Sequence, residues 1–221
     1  MSQPLVIAID GPSGSGKSSV SRAVATQLGL DYLDTGSMYR AMTWYLQNMG
    51  ADLSDVSQVA QLANAQVIQP SIDPSEPGIR VAGQDVSLPI RGTEVTQGVS
   101  AVSAVPKVRD LMVNLQREIV SNSKIGIVVE GRDICSVVLP NAPVKIFITA
   151  DPAARATRRA KEVDADVTTT EQNLAQRDLA DSTRAVSPLE IAPDATVIDT
   201  THMDLTDVIA KVIDLAQVYR G

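Results

Sequence analysis

Among its 221 residues the chain holds one cysteine, Cys135, and one histidine, His202. A single thiol excludes an intrachain disulfide, and the two side chains together are too few for a Cys/His zinc site. Aromatic residues make up 3% of the chain, so a core has to be built mainly from Val, Ile, Leu and Ala. No apolar stretch approaches the roughly 18 residues of a membrane-spanning helix. Near the N-terminus Asp10 interrupts the apolar run Leu5-Val6-Ile7-Ala8-Ile9, which is too short for a signal peptide. Positive charge is also scarce: the net charge is −7. An acidic chain lacks the basic surface that sequence-independent polynucleotide binding requires. These absences predict a cytoplasmic protein with no polynucleotide and no membrane partner. Within the few cations, arginine outnumbers lysine 13 to 6, a bias suited to bidentate contacts with a small phosphorylated ligand. With 44% hydrophobic residues the chain can bury the core of one domain with appended lobes.

The most specific pattern is Gly11-Pro12-Ser13-Gly14-Ser15-Gly16-Lys17-Ser18, a G-x-x-x-x-G-K-S phosphate-binding loop. It follows the short apolar run, which suits a buried strand. It precedes Val20, Val24 and Leu28, spaced as on one helix face, with Gly29 as a stop. Glycines let consecutive backbone N–H groups turn toward phosphate oxygens. The helix N-terminus adds positive potential, Lys17 a mobile charge, and Ser18 a hydroxyl for Mg²⁺.

Short apolar runs predict five strands, at about 5–10, 30–33, 125–130, 144–149 and 196–199. Between them lie helical stripes. Met38, Ala41, Met42, Tyr45 and Leu46 form one, and Val108, Leu111, Met112, Leu115 and Ile119 another, opened by Pro106. Asp151-Pro152 reads as an N-cap followed by Pro at the first helical position. Thr168-Thr169-Thr170-Glu171 offers a capping box. Val208, Ile209, Val212, Leu215, Ala216 and Tyr219 stripe a last helix. The alternation predicts an open α/β parallel sheet. The Pro/Gly-rich stretch 66–98 breaks it, and Gly78–Ser87 reads as two short strands and a turn. The polar stretch 155–176 reads as an exposed mobile flap.

A phosphate-binding loop by itself points only to a nucleoside triphosphate. The guanine-reading N-K-x-D pattern and a D-x-x-G switch are absent, and the chain is short for a motor or transporter ATPase. A small kinase remains. Asp34-Thr35-Gly36-Ser37-Met38-Tyr39-Arg40 lies at the end of the second strand, where open parallel sheets bind ligands. Val128-Val129-Glu130-Gly131-Arg132-Asp133 places charges at the same rim. Arg177, Asp181 and Arg184 fall at i, i+4 and i+7, as on one helix face; an ordinary surface salt bridge explains that spacing equally well when it is taken alone.

Together these motifs resemble the bacterial cytidylate kinase family. The likeness runs in order along the chain through Gly11–Ser18, Asp34–Arg40, Ile90-Arg91 with Glu94-Val95, Pro106–Arg109, Gly131-Arg132-Asp133, Pro143–Phe147 and Arg184–Leu189. It implies a P-loop kinase fold: a five-stranded parallel sheet flanked by helices (1–36, 101–153, 178–221), an inserted monophosphate-binding lobe with a small antiparallel sheet (37–100), and a helical lid (154–177). It implies transfer of the γ-phosphoryl of ATP to CMP or dCMP, in pyrimidine nucleotide metabolism, by a monomer. ATP is expected on Gly11, Pro12, Ser13, Gly14, Ser15, Gly16, Lys17, Ser18 and Ser19, with Mg²⁺ on Ser18. Lys17, Arg132, Arg158 and Arg184 are the expected catalytic residues, with Arg159 beside Arg158 over the transferring group. For CMP the resemblance implies Thr35, Tyr39 and Arg40, a base contact set of Ser100, Arg109 and Asp133, and Arg132, Arg177, Asp181 and Arg184 around sugar and phosphate. The chain departs from the family at Cys135-Ser136, where Gly-Thr is usual, and Glu130 stands where some relatives carry Asp. Two other readings predict different behaviour. A nucleotide-gated binding module would bind ATP without transfer, and a kinase of another small acceptor would ignore CMP.

Overall fold

The computed structural model describes residues 4–219; residues 1–3 and 220–221, the outer ends of the expected core segments, lie outside the described residues. The chain opens with β1 (Val6–Asp10), passes through the glycine-rich loop into α1 (Lys17–Leu28), and returns as β2 (Asp31–Asp34). Gly29 ends α1 in the left-handed conformation, its N–H reaching Ala25 O and Thr26 O, as a helix-stopping glycine does. Asp34 then caps α2 (Thr35–Asn48) by accepting from Ser37 N at 3.0 Å. The stripe of Met38, Ala41, Met42 and Leu46 is fully buried.

After the short α3 (Val56–Leu62) come β3 (Ile68–Pro70), β4 (Ile79–Val81) and β5 (Gln84–Asp85), an antiparallel sheet in that order. Ala82 and Gly83, both at positive φ, turn β4 back into β5, the backbone that a tight hairpin turn demands. The hairpin matches the expected strand pair; β3 is an addition. Its Pro70 argues against a strand, yet β3 is an edge strand, where proline is tolerated. Ile68, Ile79, Val81 and Val86 from this patch share a core with Met42 and Leu46 of α2.

Helices α4 (Thr93–Ala104) and α5 (Pro106–Asn122) lead to β6 (Ile127–Gly131), a single π-helical turn (Ile134–Val138), and β7 (Val144–Thr149). Asp151 caps α6 (Pro152–Val163), with Pro152 at its start, and α7 (Val167–Ser182) packs back on it. The capping box expected at 168–171 does not form. Asp166 caps α7 instead, accepting from Thr169 N at 2.7 Å; the helix starts at Val167, so Thr168 lies inside it and cannot be its N-cap. The polar stretch 155–176 is thus a pair of helices, with Arg155, Ala156, Ala160, Thr170 and Leu174 buried. β8 (Thr196–Asp199) and α8 (Leu205–Val218) complete the chain.

The main sheet is parallel, in the order β2-β6-β1-β7-β8. Both faces are covered: Ile7 and Ile9 of β1 pack with α1 and α8, and Ala8 with α2, α4 and α5. That explains the near-continuous apolar runs. β1 is central, and the winding reverses beside it. Its C-terminal end is therefore the crevice where an open α/β sheet binds ligands.

Candidate active site

The glycine-rich loop leaves β1 at that crevice. A Cβ on Gly11 would lie 2.1 Å from Ile148 O, so only glycine lets the loop pass against β7. Gly14 and Gly16 sit at positive φ, and Gly16 is the N-cap of α1. The ends of β1, β2 and β6 and the α6–α7 pair enclose a cleft of about 390 Å³.

Lys17 is buried at the base of the cleft, its Nζ 3.4 Å from Pro12 O. Burial, and then the Arg132 charge, pull its pKa down to about 8. Ser18 donates to Glu130 Oε2 at 2.9 Å, and Tyr32 OH donates to Oε1 at 2.6 Å. Glu130 is fully enclosed, and burial together with the nearby Asp34 raises its pKa to about 7. A hydroxyl and a buried carboxylate side by side, with Asp34 near, form a hard oxygen-donor set. It fits Mg²⁺, which takes few protein ligands and completes its shell with phosphate and water.

Arginines crowd the opposite wall. Arg40, Arg132, Arg159, Arg177 and Arg184 all line the cleft. Arg132 donates from Nε to Asp181 at 2.8 Å, from Nη1 to Gly11 O at 3.0 Å and from Nη2 to Ser13 Oγ at 2.6 Å. Arg40 donates to Ile90 O at 3.1 Å and Thr96 Oγ1 at 2.9 Å. Burial, and then neighbouring arginines, lower both Arg40 and Arg177 to about 10. They stay charged at neutral pH, with burial and mutual repulsion outweighing the nearby carboxylates of Asp34 and Asp181. Nε of Arg177 and both Nε and Nη2 of Arg184 are buried with no partner among the described residues. Buried donors of this kind call for an acceptor, and a phosphate group in the cleft would supply one.

Deeper in, Arg109 and Asp133 form an ion pair with side chains only 2% and 5% exposed. Arg109 also lies over the Tyr39 ring, 5.4 Å from its centroid. The pair offers a fixed cation and a fixed acceptor side by side, a pattern that matches a heterocycle edge presenting acceptor and donor.

Most of the residues expected at the site line this one cleft. Ser13, Gly14, Gly16, Lys17, Ser18, Ser19, Thr35, Tyr39, Arg40, Ser100, Arg109, Arg132, Asp133, Arg177, Asp181 and Arg184 do so; Gly11, Pro12, Ser15 and Arg158 do not. Gly11, Pro12 and Ser15 form the underside of the loop. Arg158 turns away, donating to Thr200 Oγ1 at 3.0 Å and Thr200 O at 2.6 Å; its neighbour Arg159 reaches the cleft instead. The Thr35 hydroxyl is engaged by Glu130 O at 2.7 Å. Arg184 lies past the end of α7, which stops at Ser182, so the i, i+4, i+7 face ends one member early. Two residues outside the expected site hold the loop itself. Asp178 accepts from Ser13 N at 3.2 Å, and Arg155 donates to Ser13 O at 3.0 Å.

A family model described as cytidylate kinase matches residues 7–218. A cytidylate kinase of Streptomyces avermitilis is 52% identical over 218 residues, spanning 98% of this chain and 94% of that one. One from Nocardia farcinica is 49% identical, over 93% of this chain and 90% of its own. Among solved structures, a gluconokinase from Sinorhizobium meliloti shares the fold at TM-score 0.50 and 15% identity, covering 98% of this chain and 93% of that one.

Proposed function

We infer the reaction from one premise: this chain belongs to the cytidylate kinase family. It transfers the γ-phosphoryl group of ATP to CMP, giving ADP and CDP, a step of pyrimidine nucleotide metabolism. The observation that carries the reading is the convergence of Lys17, the Arg109–Asp133 pair and six further arginines on one cleft at the end of β1. We extend it to dCMP as a second acceptor, and to a cytoplasmic monomer with no polynucleotide or membrane partner. Among the described residues no helix is long and apolar enough to cross a membrane.

The roles follow from chemistry. ATP lies along Gly11–Ser19, with Lys17 on its terminal phosphates. Ser18 and, beside it, Glu130 would hold Mg²⁺, which when bound would neutralise phosphate charge. The CMP phosphate is already an anion at neutral pH, so no general base is needed; what it needs is to be held in line and screened. Arg40, Arg132, Arg177 and Arg184 supply that positive field, and Arg159 takes the covering role expected of Arg158. Cytosine presents its N4 amino group to Asp133 and its ring acceptors to Arg109; uracil would set acceptor against carboxylate and donor against guanidinium. Each such buried mispairing costs about 1–3 kcal/mol, so UMP is rejected. Tyr39, Ser100 and Thr35 border the base, and Asp181 the sugar. The lobe 37–100 and the pair of helices 154–177 are the parts we assign to closing over both substrates, which would keep water from the transferring group.

A coupled assay of ADP formation tests the reading, with CMP, dCMP, UMP, AMP or no acceptor. Turnover with CMP and dCMP, and little with the other three, is expected. Equal turnover with AMP or UMP, or none with CMP, would remove the assignment.

A further inference from the structure

We propose that Arg155 and Asp178 form a charge-neutral clamp that positions the phosphate-binding loop through Ser13, and so sets ATP affinity without touching ATP. The inference rests on the reading of residues 11–18 as the ATP site.

Ser13 has all three of its polar groups held by charged side chains from different elements. Its N–H donates to Asp178 Oδ1 on α7 at 3.2 Å, and its carbonyl accepts from Arg155 Nη1 on α6 at 3.0 Å. Its hydroxyl accepts from Arg132 Nη2 at 2.6 Å. Arg155 also donates from Nε to Ala150 O at 3.1 Å, beyond the end of β7, and pairs directly with Asp178 Oδ2. One guanidinium thus ties the main sheet, the loop and α7 together. Packing acts in the same direction: a Cβ on Gly14 would meet Arg155 O at 3.1 Å and Leu174 Cδ1 at 3.3 Å. Neither Arg155 nor Asp178 lines the cleft, so both are positioning residues.

The charges make the arrangement more than structural. Asp178 sets a carboxylate on a backbone N–H of a loop whose task is to bind a polyanion. Left alone, that carboxylate would repel the triphosphate and compete for the loop's donors. Arg155 cancels its charge at contact distance, in a pair only 9% and 19% exposed, where solvent screens little. The two residues are therefore interdependent in a particular direction: losing Arg155 is worse than losing Asp178, and losing the Asp178 charge as well should undo part of the damage.

Titration calorimetry of the full chain with ATP and Mg²⁺, and separately with CMP, tests this. Asp178→Asn should weaken ATP about three- to tenfold and Arg155→Gln about 10- to 100-fold, the scale of a lost charge-assisted bond. CMP affinity should stay within about threefold in each. The double variant should bind ATP more tightly than Arg155→Gln alone, whereas a merely structural role makes it weaker still. A double variant no better than Arg155→Gln, or parallel losses for CMP and ATP, overturns the clamp. If Arg155→Gln does not fold, Arg155→Lys takes its place: it keeps the charge but not the fork, and ATP binding unchanged from wild type would overturn the proposal. A wild-type chain that binds no ATP overturns the reading of the loop, and the clamp with it.

Discussion

Asp181 on α7 accepts a hydrogen bond from Nε of Arg132, the first residue after β6, at 2.8 Å. The contact spans 49 positions of chain and fixes an arginine that also reaches Gly11 O and Ser13 Oγ. The carboxylate orients Arg132 with Oδ2, and in the proposed reaction it also faces the sugar of the acceptor.

Asp181→Ala is expected to lower kcat/KM with CMP and with dCMP together, by about 10- to 100-fold, because Arg132 loses a charge-assisted bond. The loss should be larger for CMP, which alone offers a 2′-hydroxyl. Kinetics with both acceptors check this. A fall confined to CMP would show that Arg132 keeps its place without Asp181.

The Arg109–Asp133 pair leads to a prediction with two readouts. Asp133→Asn leaves Arg109 charged, buried and short of its partner, and breaking a buried pair costs about 3–5 kcal/mol when nothing replaces it. The amide oxygen still accepts, so the expected destabilisation is smaller, about 1–3 kcal/mol, read as a lowered midpoint in chemical denaturation. The amide also donates, so it accommodates uracil O4. The ratio of kcat/KM for CMP over UMP should fall; an unchanged ratio would remove Asp133 from base reading.

What could be read from sequence was what local pattern encodes. The five core strands are short apolar runs because both faces of the sheet are covered, and Gly29 and Pro152 mark helix ends by backbone chemistry alone. The cleft was legible because strand ends in an open parallel sheet gather at one rim. Other features depend on tertiary contacts that no spacing rule reaches. Helical periodicity suggested an Arg177–Asp181 pair; the fold gives Asp181 to Arg132 instead. The grip of Arg155 and Asp178 on Ser13 spans 142 and 165 positions. Arg158 and Arg159 are indistinguishable in sequence, and only the packing of α6 beside Thr200 separates them.

Asp10 carries a pH signature. Its carboxylate is fully buried and accepts from Ile134 N at 2.9 Å and Cys135 N at 2.7 Å. Burial nevertheless dominates and raises its pKa from 3.8 to about 6. Between those values the folded chain binds this proton more tightly than the unfolded chain. The stability it contributes is therefore present in full below pH 3.8 and lost as pH rises through 6. Asp10→Asn does not titrate. The unfolding free energy of wild type minus that of the variant should decline by on the order of 2–3 kcal/mol across this window, in denaturant titrations at stepped pH. A difference independent of pH would contradict the burial argument.

Lys17 gives the complementary case for binding. With its pKa lowered to about 8, it is half neutral at pH 8. A triphosphate beside it favours the ammonium, so ATP binding at pH 8 should take up about half a proton. Calorimetry in two buffers of different ionisation enthalpy reads this directly, and the uptake should vanish in Lys17→Met. No uptake in wild type would place Lys17 away from the phosphates.

The most direct measurement is ³¹P NMR of the purified chain with ATP, Mg²⁺ and CMP, following where the γ-phosphoryl group goes. The account predicts CDP and ADP appearing in step with the loss of ATP and CMP, with no inorganic phosphate accumulating. ATP left intact, or inorganic phosphate appearing in place of CDP, would contradict it.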